Sequence, residues 1–200
     1  MIVLKQTETI IKLASKNNGV ITSSMITKAG ISRGNLKYVV DNGMLEKTTR
    51  GVYILPDILE DEFVNLQTRF KKGIFSKETA LFFHDLIDRT PNIFSMTFPD
   101  NYNLTKIKDE GIAASRATGI YYNLGITEII SPARNLIRAY DVEKTLCDLL
   151  RPRSNVDIQV ISEAFKRYIS RKEKNIPKLS DYAKKLKVEK KVRMYLEVLL

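Results

Sequence analysis

Val3, Leu4, Thr7, Ile10, Ile11 and Ala14 recur at the i, i+3, i+4, i+7 spacing of an amphipathic helix, which Asn17-Asn18-Gly19 ends. Val20-Ile21 predicts a short extended piece. Thr22 or Ser23 then caps a short helix that turns Met25, Ile26 and Ala29 inward and closes at Gly30. Ser32 caps a third helix with Leu36, Val39 and Val40 inward, ended by Asn42-Gly43. Met44 to Lys47 and Val52 to Leu55 predict a two-stranded ribbon with Thr48-Thr49-Arg50-Gly51 at its tip and Pro56 at its end.

On a wheel at 100° per residue, Gly34, Asn35, Lys37 and Tyr38 fall away from the core side of the third helix, and Arg33 sits in its first turn. A short capped helix followed at once by a basic ribbon is the plan of a winged helix-turn-helix, which puts one helix in the DNA major groove and a loop beside it. The expected DNA contacts are Ser32, Arg33, Asn35, Lys37 and Tyr38 on the helix and Lys47, Thr48, Thr49 and Arg50 on the ribbon. The competing reading is a solvated helix face and an ordinary hairpin.

Past Pro56 the pattern changes. Phe63, Leu66 and Phe70 carry helical spacing in a polar connector, residues 59–72. Gly73-Ile74-Phe75 opens a second domain, residues 73–200. There Ser76 caps a helix with Ala80, Leu81, Phe83, Leu86 and Ile87 on its apolar side. Phe94, Met96 and Phe98 alternate as a half-buried strand, and Ile126 to Ile130 and Leu136 to Tyr140 are β-type runs. Asp141 caps a helix with Val142, Leu146, Leu149 and Leu150. Three more helices carry Ile158, Ile161, Phe165, Tyr168 and Ile169; then Leu179, Tyr182 and Leu186; then Val192, Tyr195, Leu196 and Leu199. The expected fold class is α+β: a winged helix-turn-helix over residues 1–58, then a mixed α/β domain ending in helices.

Charge sharpens the reading. The net charge is +10 over 200 residues. Residues 1–58 carry 8 Lys/Arg against 4 Asp/Glu, residues 59–150 carry 11 against 13, and residues 151–193 carry 14 against 5. Two separated basic regions favour a polyanionic partner. The C-terminal basic surface is Arg151, Arg153, Lys166, Arg167, Lys184, Lys185, Lys187, Lys190 and Lys191; its competing reading is a set of solvated lysine-rich helix faces. No apolar run reaches a membrane span, the N-terminus does not read as a secretory signal, and the single cysteine, Cys147, permits no internal disulfide. A cytoplasmic setting is expected, with no membrane partner.

Three segments in order resemble one family: Gly-Val-Tyr after the ribbon tip, Phe-Ser-Lys-Glu-Thr-Ala-Leu-Phe-Phe-His-Asp-Leu-Ile-Asp-Arg-Thr-Pro over residues 75–91, and Tyr-Asp-Val-Glu-Lys-Thr-Leu-Cys-Asp-Leu-Leu over residues 140–150. The chain resembles the AbiEi antitoxins of bacterial type IV toxin–antitoxin, abortive-infection systems. The resemblance implies an N-terminal domain that binds inverted repeats in promoter DNA and represses its own operon. It also implies a C-terminal domain that counters a nucleotidyltransferase-like toxin without a stable complex. The protein would be a monomer in solution, with several copies on DNA. Alternatives are a winged-helix regulator unrelated to toxins and a nucleic-acid enzyme.

Catalytic chemistry finds little support. His84, the one histidine, with Asp85 and Asp88 makes a thin metal or base site, and a structural histidine is favoured. Cys147 between Leu146 and Leu149 reads as a core thiol. Asp141-Val-Glu-Lys144 lacks the acidic residue two before lysine that a nuclease core needs. No phosphate-cradling glycine loop is present. No catalytic residue, metal or cofactor is expected.

Overall fold

The computed structural model describes residues 2–199; side chains of residues 2–4, 106 and 108 are left aside, so the inward positions expected for Val3 and Leu4 lie outside the described residues. The chain is α+β and divides into two compact units. One comprises Met1–Lys71 with Ile130–Ile137, the other Lys72–Ile129 with Arg138–Leu200.

The first unit runs α1 (Ile2–Lys16), β1 (Val20–Thr22), α2 (Ser23–Lys28), α3 (Gly34–Asp41), β2 (Glu46–Thr49), β3 (Val52–Ile54) and α4 (Glu62–Arg69). Its sheet is antiparallel in the order β1-β3-β2. The Thr22 hydroxyl accepts from the Met25 amide at 3.2 Å and so starts α2. Gly51 turns the β2–β3 hairpin at φ +87°, a value that favours glycine. Ile10, Ala14, Ile21, Ile26, Ile31, Leu36, Val39 and Leu45 form one core. Each large aliphatic side chain there contributes roughly 1.5–3 kcal/mol by leaving water.

Ser32 starts α3 less directly than expected. Arg33 occupies the cap position with no side-chain cap bond, and the Ser32 hydroxyl accepts from the Gly34 amide at 3.3 Å. The ribbon strands begin two residues later than expected at β2, and the register shifts between Lys47 and Thr49, a bulge centred on Thr48.

The second unit runs β4 (Ile74–Phe75), α5 (Lys77–Phe83), β5 (Ser95–Pro99), α6 (Thr105–Lys108), β6 (Ala113–Ala117), α7 (Gly119–Asn123), β7 (Ile126–Ile130), β8 (Leu136–Tyr140), α8 (Val142–Leu149), α9 (Ile158–Ser170), α10 (Ile176–Lys185) and α11 (Glu189–Leu199). The sheet order is β6-β5-β4-β8-β7; β4 pairs antiparallel with β5 and parallel with β8, and β5 pairs parallel with β6. The helical core holds Leu146, Leu149, Ile161, Phe165, Tyr168, Leu179 and Val192. Side chains of Asp141, Asp157 and Asn175 cap α8, α9 and α10.

Four expectations change here. Ser76 precedes α5 without capping it, because its hydroxyl accepts from Thr97 instead. Helix α5 stops at Phe83, so Leu86 and Ile87 are buried beyond its end. Strand β5 is buried on both faces over Ser95 to Phe98 rather than half-buried, with the Thr97 hydroxyl hydrogen-bonded to Ser76. Ile158, placed on the apolar side of α9, is 64% exposed.

Candidate nucleic-acid interface

Helix α3 buries Leu36 and Val39 and half-buries Val40, which leaves Ser32, Arg33, Lys37 and Tyr38 exposed. Arg33 is held in place: its Nε donates to the Thr27 hydroxyl at 2.9 Å, tying the end of α2 to the start of α3. Lys37 and Tyr38 point to solvent, and Tyr38 remains 41% exposed. At the hairpin, Lys47 and Arg50 are exposed and Thr49 is half-buried. No ion pair engages Lys37, Lys47 or Arg50 among the described residues.

Two expected contacts are otherwise occupied. The Asn35 amide donates to Gln6 Oε1 at 2.5 Å, so it joins α3 to α1. Asn35 sits at the edge of the buried stripe, where a neighbouring helix reaches it. Thr48 is half-buried, and its hydroxyl donates to Asn65 Oδ1 at 3.2 Å, which fastens the hairpin to α4. Asn65 is itself buried and donates to Glu60. The tip is held further by the Ser23 amide, which donates to the Gly51 carbonyl at 2.9 Å. These contacts limit how far a basic tip sways, and so where it presents its charges.

Asp61 is a supporting residue that the pattern of basic positions did not single out. It is buried. Its Oδ1 accepts from the Phe63 and Val64 amides at 2.9 and 3.3 Å, and its Oδ2 accepts from Ser131 Oγ at 2.6 Å and Asn135 Nδ2 at 2.8 Å. The available signal is an Asp followed by Glu62 and then the apolar Phe63-Val64 step, a helix N-cap signature with an acid in the first turn.

The C-terminal basic positions divide. Arg167 pairs with Asp88 and, at 2.7 Å, with Glu163; Lys185 pairs with Asp181 at 2.6 Å. Lys191 donates to the Leu150 carbonyl at 2.7 Å, and Arg151 lies 3.4 Å from Asp148. Local acids and carbonyls therefore already engage four positions read as an open basic surface. Arg153, Lys166, Lys184, Lys187 and Lys190 are exposed.

The polar residues around α8 serve structure. Lys178 bridges Asp141 at 3.1 Å and Glu143 at 2.9 Å. Partial burial works to lower its pKa, but the bonds to Glu143 and Asp141 carry it up to about 12. Lys144 is fully buried, paired with Asp148 and with its Nζ over the Tyr140 ring. His84 Nε2 donates to the Tyr140 carbonyl at 2.8 Å, and burial lowers its pKa below the ordinary value. Burial pushes the Cys147 thiol up to about 12, which suppresses the reactive thiolate. No group of three or more His, Cys, Asp or Glu side chains is arranged to hold a metal among the described residues, and no described helix is long and apolar enough to cross a membrane.

Residues 8–56, from the second turn of α1 to the end of the hairpin, match a family described as transcriptional regulator, AbiEi antitoxin. No curated protein matches the chain in sequence. Among solved structures, the chain is similar to the RV2827C protein from Mycobacterium tuberculosis, with a TM-score of 0.51 and 13% identity over 90% of this chain and 71% of that one. At that identity the likeness concerns the fold alone. The matched residues include the exposed face of α3 and the basic hairpin, and over this N-terminal region the chain is similar to the AbiEi antitoxin regulators.

Proposed function

We propose that residues 1–58 act as a winged helix-turn-helix that binds inverted repeats in duplex promoter DNA and represses its own operon, with α3 entering the major groove and the β2–β3 hairpin as the wing. One observation carries this reading: Lys37 and Tyr38 on α3 and Lys47 and Arg50 on the hairpin are exposed, with no acidic side chain paired to either lysine or to the arginine among the described residues. Arg33, oriented by Thr27, sits at the start of α3, where phosphate contacts position a recognition helix. The second domain, residues 73–200, counters a nucleotidyltransferase-like toxin. That part rests on the AbiEi match and on the ordered motifs at residues 75–91 and 140–150. The protein acts in the cytoplasm as a monomer that loads in several copies on its operator.

The test is fluorescence anisotropy on labelled promoter DNA. With roughly 6 phosphates neutralised, affinity drops about a thousandfold between 50 and 200 mM salt. An affinity that stays flat across that range rejects the proposal.

A further inference from the structure

The second unit holds a cavity of about 520 Å³ that the DNA-binding proposal leaves unused. Its floor is a row of hydroxyls. The β5–β6 register sets Thr97 beside Ser115, their oxygens 3.0 Å apart, and Thr97 Oγ1 donates to Ser76 Oγ at 2.9 Å. Thr97 has one proton, so Ser115 donates to Thr97 in this arrangement. The Ser115 proton is thus committed to Thr97, and the row fixes the shape of the cavity floor rather than supplying a donor to a ligand. Ser76 and Thr97 are 1% and 6% exposed, so this row is built into the sheet rather than scattered on a surface.

Cations surround the row. Lys77 stands at φ +50°, a strained value for a side chain of its size, and its Nζ donates to the Ser154 carbonyl at 2.8 Å. Arg151 stacks over the Tyr121 ring at 4.3 Å and lies 3.4 Å from Asp148. Lys144 is buried against the other oxygen of that carboxylate. Arg153, on the rim at φ +66°, is exposed and has no partner among the described residues. Asp148 is thus the single carboxylate lining the cavity, against Lys77, Lys144 behind it, Arg151 and Arg153. Glu78, next to Lys77 in sequence, lines a different cleft, with Asp88 and Arg89. Arg116 also lines the cavity, but it is tethered: its Nε donates to the Tyr102 carbonyl at 3.0 Å. Burial lowers the pKa of Lys77 and of Lys144, a cost that an anion in the cavity would offset.

We propose that this cavity binds a nucleotide through its phosphate, held by Lys77 and Arg153, with the nucleoside against the wall that carries Tyr121. The volume lies within the range of small-molecule sites and exceeds what a bare phosphate fills. A free nucleotide and the phosphorylated end of an RNA present the same chemistry, and the experiment distinguishes them.

The full chain is titrated calorimetrically with AMP, adenosine, inorganic phosphate, and a short RNA carrying either a 5′-phosphate or a 5′-hydroxyl. AMP binds, and adenosine binds at least about tenfold more weakly, the loss of a charge-assisted contact. Arg153→Gly suits the backbone at that position, leaves the core untouched and weakens AMP by about tenfold. Lys184→Ala, outside the cavity, changes nothing. Tighter binding of the phosphorylated RNA than of AMP assigns the site to RNA ends; the reverse assigns it to free nucleotides. No heat from any phosphate-bearing probe at millimolar concentration, equal binding of AMP and adenosine, or an Arg153→Gly protein with unchanged AMP affinity overturns the proposal. Promoter affinity measured in parallel remains at the wild-type value in Arg153→Gly, so failure here is separable from failure of DNA binding.

Discussion

Lys37 and Arg50 differ from Asn35 in what their removal leaves behind. Neither basic side chain has an ion-pair partner in the protein among the described residues, whereas Asn35 holds Gln6 of α1. Lys37→Ala and Arg50→Ala should each weaken promoter binding and reduce the salt slope by about 1, with thermal stability unchanged. Asn35→Ala should do the opposite: it lowers stability by about 1 kcal/mol in urea titration and leaves sequence preference as it was. An Asn35→Ala protein of native stability that loses discrimination between operator and scrambled DNA would return Asn35 to the reading face. His84 supplies a pH-dependent companion. Its Nε2 donates to the Tyr140 carbonyl, so a neutral ring suffices, and burial sets its folded pKa below the unfolded 6.5. Below pH 6.5 the unfolded chain therefore holds more protons than the folded one. The contribution is complete above that pH and declines as pH falls toward the folded value. Thermal melts should show a lower Tm at pH 5 than at pH 7, with a shallower fall in His84→Gln.

Among the elements, α4 depends most on a single residue. Asp61 caps it and also satisfies Ser131 and Asn135, both buried, on the segment 130–137. Asp61→Ala removes a helix cap and leaves two buried polar side chains short of a partner, a cost of about 3 kcal/mol. Denaturant unfolding measures it, and a change under 1 kcal/mol would mean that water replaces the carboxylate. This element also marks what the chain discloses about itself. Short-range signals place α3, the hairpin, β7, β8 and the cap of α8 nearly to the residue, because caps, turn glycines and apolar spacing lie within a few positions of one another. The contacts of Asp61 with Ser131 and Asn135 span about seventy residues, and no local pattern announces them. Strand β6, Ala-Ala-Ser-Arg-Ala, lacks the branched and aromatic residues that signal a strand and exists through pairing with β5. The same distance effect hides the Thr97–Ser115 hydroxyl row and turns Asn35 and Thr48, read from the wheel and the tip as outward groups, toward α1 and α4. The exposed Lys37, Tyr38, Lys47 and Arg50 needed only the wheel and the turn.

At the scale of the molecule, the two basic regions fall in different compact units, and this makes their roles separable in the intact chain. The first unit is discontinuous, since it takes in residues 130–137, so a cut near Asp61 would part α4 and that segment from the rest of their unit and bare Phe63, Leu66 and Phe70. Substitutions in the full-length protein avoid the difficulty. A Lys37→Ala, Arg50→Ala double variant touches exposed positions only, so it should fold as the native protein does and lose promoter affinity by at least about tenfold, since each lost phosphate contact removes about 1 from the salt slope. If the second domain alone opposes the toxin, this variant no longer represses a reporter yet still rescues growth when the neighbouring toxin gene is induced. Expression must be matched in that assay, because loss of repression by itself raises antitoxin levels. Rescue that fails at equal protein concentration, with circular dichroism and Tm unchanged, would tie antitoxicity to the DNA-binding surface and remove the division of labour.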